Sequence, residues 1–333
     1  MLDCEWSRHG RYAAFDTRRA EACAQRTLAR HGALLDRAAE RAPLRDRSRR
    51  LCAGLGVLAE DAALALGARS SVEAVGGAAA LLSLLTKVDD EVIDAAPFHG
   101  GPFRRSGHRA LRHRVRRYLA PTLDSLLEAR AVTCEPRCTL AAEVGRQLRA
   151  LAATPDRLAQ LHEVIASGWE TQVRAVDVLS RHPQEAAAEE VAYVTAAISA
   201  DWLLMITMIG GLPSDAARPL SPAEMDAFSA WGWHIQRADA LADFLQDAED
   251  GLANSWAGHR CHARFADAFI RAVQCRDASA LDSMLADCAP ACLPSTDEVR
   301  AAARPLRALG NVACDLGWIH SMLVGRWRSR GAG

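Results

Sequence analysis

The stretch VAYVTAAISADWLLMITMIGGL at 191–212 constrains the fold more than any other part of the chain. As a helix it is apolar on nearly every side, so it must be enclosed either by lipid or by other helices. Asp201 interrupts it at its centre, no basic anchors flank it, and no second segment of the kind accompanies it. A buried central helix is therefore expected rather than a membrane span. The rest of the chain must then enclose that helix. Composition agrees, because Ala, Leu and Arg dominate while Val, Ile, Tyr and Phe are modest, which favours helix over strand. The expected fold class is all-α.

Periodicity and breakers divide the chain further. Residues 11–41 read as an Arg-rich amphipathic helix, 44–67 as a second, and 72–96 as an apolar helix ending in an acidic cluster. PFHGGPF at 97–103 breaks the pattern. A basic helix at 106–130 is expected to bend or restart at Pro121. Helices follow at 138–152 and 155–181, the latter capped by Thr154 with Pro155 in its first turn. After the apolar helix at 189–210, a proline-rich loop leads to a helix that Ser221 or Pro222 starts and Gly251 ends. Shorter helices are expected at 262–276 and 277–288, and 296–327 closes the chain. With no internal repeat and no long polar linker, residues 1–333 read as one domain.

Two acidic clusters lie on these helices, KVDDEVID at 87–94 and QRADALADFLQD at 236–247. Residues four apart on a helix are offset by about 40°, so Asp239, Asp243 and Asp247 form one stripe. Asp90 and Asp94 pair in the same way, with Asp89 and Glu91 beside them. Like charges so spaced repel by roughly 0.2–0.5 kcal/mol per pair even in water. A carboxylate stripe among Ala240, Leu241, Phe244 and Leu245 therefore calls for a cation, and hard oxygen ligands on rigid helices suit Mg²⁺. Glu249 and Asp250, at the helix end, read as a solvated face. Lys87 is the only lysine in the chain; one turn before the first cluster, it can hold an anionic oxygen as a point charge.

Other features exclude function classes. A formal net charge of −1 offers no general attraction to nucleic acid or anionic membranes. The basic run RRSGHRALRHRVRRY at 104–118 lacks aromatic interleaving and reads as a solvated face. Ten cysteines without a short disulfide framework read as reduced thiols. Neither CEPRC, CAPAC nor His259 with Cys261 and His262 offers a coherent zinc set. The opening MLDCEWSRHGRYAAF has no secretory pattern, so a cytoplasmic location is expected.

The two clusters resemble those of the squalene/phytoene synthase-like branch of the isoprenoid synthases, including the bacterial class IB terpene synthases. That family carries motifs of the type RxxDDxxD and QxxNxxRDxxED. Asp90, Glu91 and Asp94 take the DDxxD places, and Gln236, Asp239, Asp243 and Asp247 match the second motif, followed by Gly251. AYVTAAISADWLLMITMIGG at 192–211 is similar to the family's helix of small residues after a tyrosine, here Tyr193. The likeness spans about 72–256. Four departures stand out. Ser83 and Lys87 occupy the tyrosine and arginine places before the first motif, while Asp239 and Ala242 replace the asparagine and arginine of the second. They weaken head-to-head condensation and favour ionisation of one diphosphate followed by cyclisation or water capture.

The resemblance implies an isoprenoid synthase helical bundle with a central active-site cavity and a prenyl diphosphate substrate. It also implies three Mg²⁺ ions, with Mn²⁺ as a substitute, on Asp90, Glu91, Asp94, Asp239, Asp243 and Asp247. Charge counting agrees: about −5 from the aspartates and about −3 from a diphosphate meet about +6 from the metals. Lys87 and Arg237 would hold the leaving group, with Trp256 and Arg260 closing over it. Ser83, Trp169, Tyr193, Trp202, Gln236 and Phe244 would contact substrate, and Ala-rich stretches at 77–80 and 195–200 would leave it room. No nucleic acid partner and no stable membrane insertion are expected, and a homodimer is compatible with the reading. The alternatives are a head-to-head prenyl transferase and a non-catalytic isoprenoid-binding protein.

Overall fold

The computed structural model describes residues 17–68, 71–93, 108–179, 187–214 and 218–250, scattered positions between 268 and 284, and 294–323 except 318, 321 and 322. Every regular element among the described residues is helical. In chain order these are α1 (Thr17–Ala38), α2 (Asp46–Gly54), α3 (Gly56–Ala65), α4 (Val72–Ile93), α5 (His108–Glu128), α6 (Pro136–Leu151), α7 (Pro155–Leu179), α8 (Ala188–Gly211), α9 (Pro222–Asp250) and α10 (Thr296–Ala303).

The apolar α8 lies between α7 and α9 and packs on α3 and α4. Its 189–211 segment is long and apolar enough to cross a membrane, and 47% of the most apolar window is buried inside the protein. In α4, Ala78, Ala79, Ala80, Leu81, Leu82, Ser83, Leu84 and Leu85 form an unbroken buried run. The helix packs against α1, α2, α3, α6 and α8. Small residues make this enclosure feasible, since neighbouring backbones can come close to an alanine face. One hydrophobic cluster runs from Cys23 and Leu35 on α1 through α4 and α8 to Leu316 and Leu323.

Several helix contacts are close enough to require glycine, and two of them bear on the packing of α8 and α4. A Cβ on Gly232 of α9 would lie 2.5 Å from the Ala200 nitrogen and 2.6 Å from the Ala196 oxygen of α8. A Cβ on Gly56 would lie 2.3 Å from the Gly76 oxygen of α4. The second contact explains a departure from expectation: 44–67 is two helices, interrupted at Leu55 between Gly54 and Gly56, so that α3 can seat itself on α4.

Pro121 neither stops nor restarts α5, which continues through it to Glu128. The carbonyl of Pro121 accepts a hydrogen bond from Ser125 Oγ at 2.7 Å. The closing 296–327 segment is also divided. After α10, Pro305–Leu309 tightens to a 3₁₀ turn and Gly310 takes φ +62 before helix resumes at 312. Caps follow the sequence more simply. Arg157 N–H donates to Thr154 Oγ1 at 3.4 Å, and Ser221 and Glu224 form a reciprocal capping box at 3.3 and 2.7 Å. The expected helices at 262–276 and 277–288 lie largely outside the described residues.

Charge is also buried away from the apolar core. Arg19 pairs with Asp61 at 2.8 Å and Glu60 at 3.1 Å, and Arg26 reaches Glu60 at 3.0 Å. Asp315 is buried beside Asp61; burial, then the neighbouring carboxylate, pushes its pKa far up. A carboxyl whose folded pKa is raised contributes stability that is complete below the unfolded value, about 3.9, and lost as pH rises through the folded one. Asp315→Asn, which is never charged, should therefore gain on the parent protein as pH rises from 4 towards 9. Urea denaturation across that range measures it, and a constant difference would count against the assignment.

Candidate active-site cavity

A cavity of about 290 Å³ opens between α2, α4, α5, α7, α8 and α9, with Ile319 and Leu323 closing one side. Helical phase explains who lines it. Ser83, Thr86, Lys87 and Asp90 fall on one face of α4; Ile198, Ser199, Trp202 and Met205 on one face of α8; Ile235 and Asp239 one turn apart on α9. From α7 come Gly168, Trp169 and Gln172. Leu51 and Cys52 of α2, with Leu55, complete the apolar side.

The polar groups form a connected set. Lys87 Nζ donates to Asp90 Oδ2 at 2.7 Å and lies 3.1 Å from Glu91 Oε1. Burial disfavours its charge, but Asp90 and Glu91 outweigh that and hold its pKa well above the ordinary lysine range. Gln172 Nε2 approaches the other Asp90 oxygen at 3.4 Å. The Cys52 thiol reports how near the second cluster comes. Burial pushes its pKa up to about 11; Lys87 opposes, while Asp90, Glu91 and Asp239 all add to the rise. Side chains from the two acidic helices thus act on one point in the cavity wall.

Asp89, next in sequence to Asp90, faces a different set of groups. It is 3% exposed, and Arg137 Nη1 of α6 stands 3.6 Å from its Oδ1, an ion pair longer than a hydrogen bond. Burial pushes the Asp89 pKa up to about 7 against the pull of Arg137 and Tyr118. Arg137 is itself held by the Tyr118 carbonyl at 2.6 Å, Thr122 Oγ1 at 2.9 Å and Glu135 Oε2 at 2.6 Å. Its guanidinium lies over the Tyr118 ring, 3.8 Å from the centroid. This buried network ties α4 to α5 and α6.

No family model matches the sequence, and no curated protein matches it. Among solved structures it is similar to the crystal structure of geranylgeranyl pyrophosphate synthetase from Pyrococcus horikoshii Ot3. The two share 15% identity at a TM-score of 0.49, covering 91% of this chain and 98% of that one. What the cavity can do is read from its own residues.

Of the residues predicted from sequence, Ser83, Lys87, Asp90, Trp169, Trp202 and Asp239 line the cavity, and Glu91 stands beside Lys87. Gln236 sits one layer back, accepting a hydrogen bond from Ser199 Oγ at 2.8 Å. Asp94 and Arg260 lie outside the described residues. Asp243 and Asp247 continue the Asp239 stripe along the backbone of α9, and their side chains are likewise outside the description. Among the described residues no three His, Cys, Asp or Glu side chains come together as a metal site.

Three further residues expected to contact the substrate or its diphosphate are not among those lining the cavity. Tyr193 lies about 180° around α8 from Trp202; it is 56% exposed, with Arg174 over its ring at 4.7 Å. Arg237 lies about 160° around α9 from both Ile235 and Asp239, and its guanidinium is over the Trp233 ring at 5.0 Å. Phe244, about 140° from Asp239, is fully buried in the core and does not line the cavity. Sequence reasoning missed Cys52, Gln172 and Ser199. Helical spacing offered a signal for two of them, since Gln172 follows Trp169 and Ser199 precedes Trp202 by three positions.

Proposed function

We propose that this protein is a Mg²⁺-dependent class I terpene synthase, a single isoprenoid synthase domain that ionises a linear prenyl diphosphate and converts the allylic cation to a cyclised or rearranged terpene. The observation that carries the reading is the juxtaposition of Lys87, Asp90 and Asp239, from two separate helices, in a cavity whose remaining walls are largely apolar and carry two tryptophans.

The donor set suits the metal in kind, because Asp90 and Asp239 on the cavity wall and Glu91 beside Lys87 are hard carboxylate ligands. They would hold Mg²⁺ together with Asp94, Asp243 and Asp247. Bound there, Mg²⁺ supplies Lewis-acid stabilisation of the charge that builds on the departing diphosphate. Lys87, kept charged by Asp90 and Glu91, offers N–H donors to the same oxygens. Leu51, Leu55, Ile198, Met205 and Ile235 keep bulk water from the hydrocarbon chain. The ring faces of Trp169 and Trp202 would each stabilise a passing cation by about 0.5–2 kcal/mol.

The test is incubation of the pure protein with geranyl, farnesyl, geranylgeranyl and geranylfarnesyl diphosphates plus Mg²⁺, followed by mass spectrometry of the extract. Diphosphate release with a product of one prenyl unit is expected. Hydrocarbon of dimer mass would instead identify head-to-head condensation, and tight binding without turnover a non-catalytic isoprenoid-binding protein. Absence of diphosphate release from all four substrates would overturn the proposal.

A further inference from the structure

Three hydroxyls line the cavity, and each has its proton committed elsewhere. Ser83 Oγ donates to the Ala79 carbonyl at 2.9 Å, Thr86 Oγ1 to the Ser83 carbonyl at 2.9 Å, and Ser199 Oγ to Gln236 Oε1 at 2.8 Å. A hydroxyl has one proton and two lone pairs, so lone pairs are what these oxygens have left to offer. The nearby side-chain donors, Lys87 and Gln172, are both turned to Asp90. A polar molecule that settles against these hydroxyls must therefore bring its own protons.

Water meets that requirement. Ser83 and Thr86 are three positions apart on α4, so their Cβ atoms stand ~5–6 Å apart on one face. One water can bridge such a span with two hydrogen bonds of about 2.8 Å. Both its protons are then taken by the wall, and its own lone pairs face the cavity. The apolar walls exclude bulk water while these hydroxyls retain a single molecule.

We propose that the Ser83 and Thr86 oxygens hold a water by its two protons, and that this water captures the allylic cation, so that the principal product is a terpene alcohol. The inference rests on the ionisation reading above and fixes how that reaction ends. The carbon–oxygen bond to diphosphate breaks, with its electron pair leaving on the diphosphate. A water lone pair forms the new carbon–oxygen bond, and the proton released from the added water passes to the freed diphosphate. Prenyl diphosphate and water give alcohol and diphosphate, with no change of oxidation state.

The experiment uses the full-length protein with Mg²⁺ and whichever of the four prenyl diphosphates it consumes fastest, in H₂¹⁸O and in ordinary water, with heat-killed protein as the solvolysis control. An alcohol carrying ¹⁸O on carbon is expected as the main product. Thr86→Val and Ser83→Ala should each lower the ratio of alcohol to hydrocarbon by about three- to tenfold, the effect of one lost hydrogen bond; Thr86→Ser should restore it. The ratio is internal to each reaction, so loss of some folded protein does not mimic the effect. Diphosphate release with hydrocarbon alone overturns the inference and leaves the ionisation reading intact, as does an alcohol fraction that neither variant moves. An alcohol without ¹⁸O means phosphorus–oxygen cleavage and overturns both. If no substrate loses diphosphate, the ionisation reading fails and this inference falls with it.

Discussion

Arg137→Met should lower stability by about 3–5 kcal/mol, the usual cost of leaving one member of a buried ion pair without its partner. Arg137 is 7% exposed and Asp89 3%, so water cannot take over the solvation of the abandoned carboxylate. The loss should also depend on pH. The Asp89 pKa is already pushed up to about 7 by burial, and without Arg137 it rises further. A raised carboxyl pKa favours folding below the unfolded value and loses that advantage as pH increases. The deficit measured by urea denaturation should therefore be larger at pH 8 than at pH 5. The double variant Asp89→Asn/Arg137→Met should recover most of it, and a double variant no more stable than the single one would show that the pair is not the cause.

Asp239→Asn and Asp90→Asn should each reduce diphosphate release by at least about 100-fold, the scale on which one electrostatic contact to a developing charge acts. Neither change should unfold the protein, because both carboxylates line a cavity rather than fill the core. Calorimetric titration of Mg²⁺ with inorganic diphosphate gives a second readout, with weaker binding expected in both variants. Full activity in either variant would undercut the proposed roles. A loss confined to Asp90→Asn would restrict the proposed metal site to α4 and remove α9 from it.

Lys87, Asp90 and Asp239 could be singled out in the sequence because their signal is local: charged residues at helical spacing need no knowledge of neighbouring helices. All three reach one cavity. Misplacement began where a residue was assigned by its neighbourhood in sequence rather than by its angle around the helix. Arg237 lies between two cavity positions in sequence, yet projects away from both. Tyr193 shares α8 with Trp202 and occupies the opposite face.

Fold-level misses have a related origin. The break at Leu55 falls between Gly54 and Gly56, but the approach of Gly56 to Gly76 that accompanies it involves another helix and cannot be read within 44–67. Pro121 was expected to bend or restart its helix, and α5 runs on through it without a restart. The Asp89–Arg137 pair was invisible for a further reason, since it joins positions far apart in sequence that meet only when α4 and α6 pack.

Gly232 has a consequence for how such a cavity could be redesigned or could drift in evolution. With the backbones of α8 and α9 in contact there, the tryptophan wall and the helix bearing Asp239 are spaced by main chain, not by side chains. Enlarging or shrinking the chamber is therefore a matter of exchanging Ile198, Met205 or Ile235, each of which lines it without setting the distance between the two helices. Under the proposed function, product range and diphosphate chemistry would to that extent be separable heritable traits: one in exchangeable apolar side chains, the other in a frame that one glycine keeps at constant width.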